Sequence, residues 1–202
     1  MKKLIILSLF LGLMVCNCSK ENELDNSNKI NGHEYVDLGL PSGKKWATCN
    51  MGANSPSMAG DYYSWGSLNP NVVYSGMYDN PVIEIGGTSY DVAHVKWGGS
   101  WHMPNKDELS ELISNCEIIW TSLDGMNGCK IIGPNGNSIF LPAAGFDHHD
   151  TNDMYSIEGF YWSSTRYEPG SHNAYSLEFS ERYKYLVGMN LGDLFSIRPV
   201  SN

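Results

Sequence analysis

The chain has 202 residues, a formal net charge of −9, 17% charged and 12% aromatic residues, and 21 glycines. That length is ample for a single buried core, and no composition break or internal repeat marks a second domain. An acidic surface repels phosphate backbones and anionic lipid, which argues against a nucleic-acid partner, while abundant Gly, Tyr and Trp disfavour a helical bundle.

The first feature in chain order is a signal. Lys2 and Lys3 precede an apolar run from Leu4 to Val15, the charged and hydrophobic regions of a secretory signal peptide over residues 1–17. The run is shorter than the roughly 20 apolar residues that cross a bilayer. Cys16 and Cys18 close it in a manner that resembles the lipobox of bacterial lipoproteins. Cys18 is the expected lipidated residue and Cys16 the alternative, because Ser19-Lys20-Glu21-Asn22-Glu23 resembles the signal that sends Bacteroidota-type lipoproteins to the outer face of the outer membrane. Removing Lys2 and Lys3 with no acidic residue takes the formal charge from −9 to −11 over residues 18–202. Glu21 to Asn28 is polar and aperiodic, so residues 18–30 read as a lipidated cysteine and flexible tether. Residues 31–202 read as the folded domain.

Within the domain, strands are expected over 34–40 and 45–51, separated by Pro41-Ser42-Gly43. The stretch 61–95 shows neither period for long and reads as extended loop with short strands. A helix is signalled by Pro104-Asn105 with Glu108 as a capping box, followed by Leu109, Leu112, Ile113 and Cys116 on one face. A hairpin is expected where 130–132 and 138–141 flank Gly133-Pro134-Asn135-Gly136-Asn137. Strands at 159–165, 173–180 and 194–200 follow. In the middle one Tyr175, Leu177 and Phe179 alternate with Ser176, Glu178 and Ser180, the pattern of a half-buried strand. Three domain cysteines, Cys49, Cys116 and Cys129, allow one disulfide, Cys49 to Cys116 being slightly favoured, or three small buried hydrophobes.

Several blocks carry a resemblance. Tyr35-Val36-Asp37-Leu38-Gly39-Leu40-Pro41-Ser42-Gly43, Trp46-Ala47-Thr48-Cys49-Asn50, Gly60-Asp61-Tyr62-Tyr63-Ser64-Trp65-Gly66, Trp97-Gly98-Gly99-Ser100-Trp101-His102-Met103-Pro104, Leu141-Pro142-Ala143-Ala144-Gly145, Tyr161-Trp162-Ser163-Ser164 and Ser196-Ile197-Arg198-Pro199-Val200 together resemble the Fibrobacter succinogenes major paralogous domain. That family is similar to C-type-lectin-like domains. The resemblance implies an α+β fold: a small twisted antiparallel sheet, one or two helices and long loops.

A fold of that kind raises four chemistries. Calcium-dependent sugar binding needs several carboxylate and amide oxygens, and Glu168-Pro169-Gly170 with Trp162-Ser163-Ser164 offers too few. Trp101 to Leu109 resembles a segment of formylglycine-generating enzymes, but those use late cysteines and none follows Cys129. Asp147-His148-His149-Asp150 with Asp153 is either a metal-binding loop or, more simply, a solvated one. The fourth is a ligand face between Arg166 and Asn190, where exposed side chains of related domains choose the ligand. Arg166, Tyr167, His172, Arg182, Tyr183, Lys184 and Tyr185 are its candidate residues, since Tyr and Arg give rigid contact area and directed hydrogen bonds. Ser42-Gly43-Lys44-Lys45 lacks the glycine spacing of a phosphate loop. The expectation is a surface-anchored, non-enzymatic binding module with no cofactor and no metal, the alternative being a structural or adhesive subunit of a cell-surface assembly. Its partner is an extracellular protein or glycan, and its anchor is a lipid in the outer membrane.

Overall fold

The structure, a computed structural model, describes residues 28–148 and 151–202. The signal peptide, Cys18 and most of the tether lie outside the described residues. In chain order the elements are β1 (Lys29–Ile30), β2 (His33–Asp37), β3 (Lys45–Ala47), α1 (Val92–Trp97), α2 (Lys106–Asn115), β4 (Glu117–Leu123), β5 (Met126–Ile132) and β6 (Ser138–Pro142). They continue with β7 (Phe146–His148), β8 (Thr151–Asp153), β9 (Glu158–Arg166), β10 (Asn173–Ser180), β11 (Lys184–Asn190) and β12 (Val200–Ser201). Four antiparallel sheets result: β1-β2-β3-β12, β4-β5-β6, β11-β10-β9 and the β7-β8 pair. The first of these joins the beginning and end of the domain through Val200 opposite Trp46.

The helix at Asn105 forms as its sequence dictates. The Asn105 side chain accepts from the Glu108 amide at 2.8 Å, and Glu108 Oε2 accepts from the Asn105 amide at 2.8 Å, so two otherwise orphaned donors are satisfied. Leu109 and Leu112 are buried, and Ile113 and Cys116 pack partly buried against the same cluster. The hairpin around Gly133 also forms, with Ile132 opposite Ser138 and Lys130 opposite Phe140. Gly133 is required there because a Cβ would lie 2.0 Å from the Leu38 carbonyl oxygen.

The core has two large clusters, which β9 separates, and a small third one of Tyr62, Ala144 and Leu194. Tyr161 joins a cluster with Leu38, Trp46, Leu112, Leu177 and Phe179. Phe160 and Trp162 join another with Trp65, Met103, Phe195 and Ile197. Successive side chains of a strand point to opposite faces, so the continuous burial of Phe160 to Ser164 marks a strand covered on both sides. The expected alternation in β10 holds at Leu177 and Phe179 and shifts at a bulge between Ala174 and Ser176, beyond which Ala174 and Ser176 are buried and Tyr175 is not.

The expected α+β, C-type-lectin-like fold is overturned. Among the described residues the chain is mostly strand, and its two helices have only 6 and 10 residues. Segments that the resemblance leaves as loop pair instead: β4 with β5 about an Asp124-Gly125 turn whose residues have φ of 50° and 83°, and β11 with β10. Conversely, 194–200 is not a continuous strand. It makes single bridges to Tyr63, Asp147, Tyr161 and His102, because it threads between elements and gives each one rung. The stretch 61–95 is irregular, with isolated bridges at Tyr63 and Glu84, and ends in α1. Cys49, Cys116 and Cys129 are free thiols, so the favoured Cys49 to Cys116 bridge does not form. Burial pushes the Cys116 thiol up to about 11 and that of Cys129 to about 12, leaving both protonated and inert.

Candidate ligand face and polar cavity

The β10–β11 hairpin gathers four of the seven expected ligand residues. Its turn is closed by the Ser180 amide donating to the Tyr183 carbonyl at 2.9 Å, and Arg182 sits exposed at the tip. Tyr183 and Tyr185 stack at 5.0 Å with planes 21° apart, and Tyr185 is 44% exposed. Lys184, between them in sequence, is exposed but turns to the opposite face of the strand, across from Phe179 and near Cys129. Beneath the rings lie two carboxylates that sequence did not point to. Tyr183 donates to Glu158 Oε1 at 2.7 Å and lies 3.1 Å from Glu178 Oε1, while Glu178 pairs across the sheet with Tyr185. Burial and the neighbouring Glu158 raise the Glu178 carboxyl above its ordinary range, against the hydrogen bond from Tyr183. The signal for this pair was available only once β11 was known to pair with β10, since register alone brings Glu178 under Tyr185.

The other three candidates separate from the hairpin tip. Tyr167 is exposed and leans on Tyr175 at 4.9 Å, over Gly188, where a Cβ would meet its ring at 2.6 Å. His172 is exposed and meets the edge of Tyr78 at 4.9 Å. Arg166 is a correction: it is 1% exposed, and its guanidinium donates to the Asn80 carbonyl at 2.7 Å and the Met77 carbonyl at 2.5 Å above the Trp65 ring. It holds the 61–95 segment on β9 and presents nothing to a ligand. Of the Asp147 to Asp153 loop, His149 and Asp150 lie outside the described residues. Among the described residues no group of three or more His, Cys, Asp and Glu side chains is placed to hold a metal ion.

A second polar constellation lies at the start of α2. His102 Nδ1 is 2.9 Å from the Ser100 carbonyl oxygen and Nε2 is 3.1 Å from Glu108 Oε1. Both ring nitrogens thus face acceptors, which favours the doubly protonated ring. Burial alone would lower the His102 pKa, yet the Glu108 hydrogen bond and the Ser100 carbonyl together raise it. Lys44 Nζ shares the same Glu108 oxygen at 3.0 Å. These groups border a cavity of about 380 Å³ whose other walls include Glu84, His94 and Ser164. Asp91 fixes two of its rims: the fully buried carboxylate accepts from the Gly87, Ala93, His94 and Met103 amides at 2.8 to 3.2 Å.

The family described as a domain of unknown function (DUF8237) matches residues 133–200, which is 68 of the 202 residues. No curated protein and no solved structure matches the chain. The matched span covers β6 through β11, and so contains the whole hairpin face. It contains only Ser164 of the named cavity residues. Among the described residues, no helix is long and apolar enough to cross a membrane.

Proposed function

We propose that the protein is a non-catalytic binding module, lipid-anchored at Cys18 on the cell surface, that presents the β10–β11 hairpin to an extracellular protein or glycan. The observation that carries this reading is the pair of stacked tyrosines at the hairpin end, with Arg182 exposed at the tip beside them. Two rigid rings give contact area at little entropic cost, and the neighbouring guanidinium adds directed hydrogen bonds. Glu158 and Glu178 support the rings from below, so the contact surface is held before a partner arrives. Of the ordered blocks resembling the Fibrobacter succinogenes major paralogous domain, Tyr161-Trp162-Ser163-Ser164 lies in β9 of the sheet that carries the hairpin, and membership of that family belongs to this proposal.

The test is a glycan and cell-surface protein array probed with the purified protein and with the triple variant R182A/K184A/Y185A. Capture of a partner by the native protein and its loss in the triple variant, with a melting temperature within a few degrees, is the expected result. Capture that survives all three changes places the face elsewhere. Failure of labelled palmitate to enter the protein, or its retention on Cys18→Ala, removes the anchor from the reading.

A further inference from the structure

The cavity at the start of α2 is a separate place from the hairpin and has an unusual electrical arrangement. The charges named on its wall balance as a set, Lys44 and a protonated His102 against Glu84 and Glu108. Lys44 and His102 share Glu108, whose second oxygen accepts from the Asn105 amide. Glu84 accepts from the Gly86 amide at 2.9 Å and from the Thr165 hydroxyl at 2.6 Å. The wall as a whole carries no excess of either sign to hold an ionised ligand group.

What remains is neutral hydrogen-bonding capacity. Ser164 is fully buried and its hydroxyl has no partner, a state that calls for an explanation in a native interior. Its backbone is pinned, the amide donating to the Pro104 carbonyl at 2.8 Å and the carbonyl accepting from Ile85 at 3.0 Å, so the hydroxyl stays at the cavity wall. Gly86 lies directly over it: a Cβ there would come within 3.0 Å of the Ser164 oxygen. Carboxylate oxygens retain lone pairs beyond the bonds they already accept, and an ammonium has three donors. Glu84, Glu108 and Lys44 therefore keep both accepting and donating capacity. About 380 Å³ is near the low end for small-ligand pockets.

We infer that this cavity is a binding site for a small neutral polyhydroxylated ligand of one ring, a single sugar residue, read by the Ser164 hydroxyl and by the free lone pairs of Glu84 and Glu108. Alternating donors and acceptors on the wall match hydroxyl groups, each of which both donates and accepts. A phosphate or carboxylate would meet Glu84 and Glu108 without an unpaired cation to offset them.

The experiment is calorimetric titration of the purified protein with D-glucose, D-galactose, D-mannose and N-acetyl-D-glucosamine, with inorganic phosphate and glycine as charged probes. Millimolar binding of at least one neutral sugar is expected. It should weaken about tenfold or more in both S164A and E84Q and be unchanged in R182A/K184A/Y185A. S164A removes a hydroxyl that bonds to nothing, so its melting temperature should hold or rise; E84Q reports independently if it does not. The inference is overturned if no sugar binds below about 50 mM, if phosphate or glycine binds more tightly, or if sugar binding survives both cavity substitutions.

Discussion

The two sides of strand β10 use the same residue types for opposite purposes. On the β9 side Arg166 and Tyr161 are 1% exposed and make their hydrogen bonds inside the protein. On the β11 side Arg182 and Tyr185 stand in solvent. What differs is cover: the 61–95 segment lies across Arg166, which satisfies the Met77 and Asn80 carbonyls, whereas among the described residues Arg182 at the hairpin tip is left exposed. A buried arginine without a carboxylate partner acts here as a clamp on loop carbonyls, as Arg198 does for Ala47, Thr48 and Phe140. Residue type therefore says little about role until the covering segment is known.

The sharpest break between the two sides should come from the arginines. Arg166→Ala leaves two buried carbonyls without donors and a cavity beside Trp65, a loss of about 3 to 5 kcal/mol. In urea unfolding this would shift the midpoint strongly, while Arg182→Ala stays within about 0.5 kcal/mol of the native protein. Equal effects would mean that the long segment does not seal β9.

A smaller contrast is expected between tyrosine hydroxyls. Tyr161 donates to the Pro142 carbonyl at 2.8 Å and accepts from the Asn50 amide at 3.1 Å, and Asn50 in turn accepts from Arg198 at 2.9 Å. Tyr161→Phe takes the donor from the Pro142 carbonyl and leaves the Asn50 amide nitrogen only its bond to the Ala59 carbonyl, a cost of about 1 to 3 kcal/mol. Tyr183→Phe, at the half-exposed end, should cost less than about 1 kcal/mol because water replaces the lost bond.

Much of this was legible in residues that act locally. The α2 start is written in Asn105 and Glu108, and the β5–β6 turn in Asn135-Gly136, because caps and turns are decided by a few neighbours. Asp124-Gly125 carries the same kind of turn signal for β4–β5, but the apolar run Ile118-Ile119-Trp120 shows no apolar-polar alternation, even though its side chains alternate between half-buried and exposed in the fold. Strand β11 was hidden for a related reason. It is an edge strand, half-exposed along its length, so its Tyr, Lys and Asn content resembles that of a loop. Arg166 was misplaced because nothing in its own neighbourhood announces Met77 and Asn80, which are 89 and 86 residues away. The cavity was hidden likewise, for Lys44, Glu84, His102 and Ser164 meet only through tertiary pairing.

The smallest effect concerns proton linkage at the exposed end and has a definite sign. The Glu178 carboxyl is raised above its ordinary 4.5, first by burial and then by Glu158, with Tyr183 opposing. A raised folded-state value means the native state takes up this proton more readily than the unfolded chain. The resulting stabilisation is fully present below 4.5 and is lost as pH rises through the raised value. At neutral pH the ionised pair is therefore a mild burden. Glu178→Gln keeps an oxygen for Tyr183 and removes the charge, so its melting temperature should exceed that of the native protein slightly at pH 7. The difference should shrink on acidification towards pH 4, where both proteins carry a neutral group at that position. Comparing the two proteins at each pH cancels every other titrating group. A difference that grew in acid would show that the carboxylate is favourably paired in the native state, and the hairpin rings would then rest on an attractive cluster instead of a strained one.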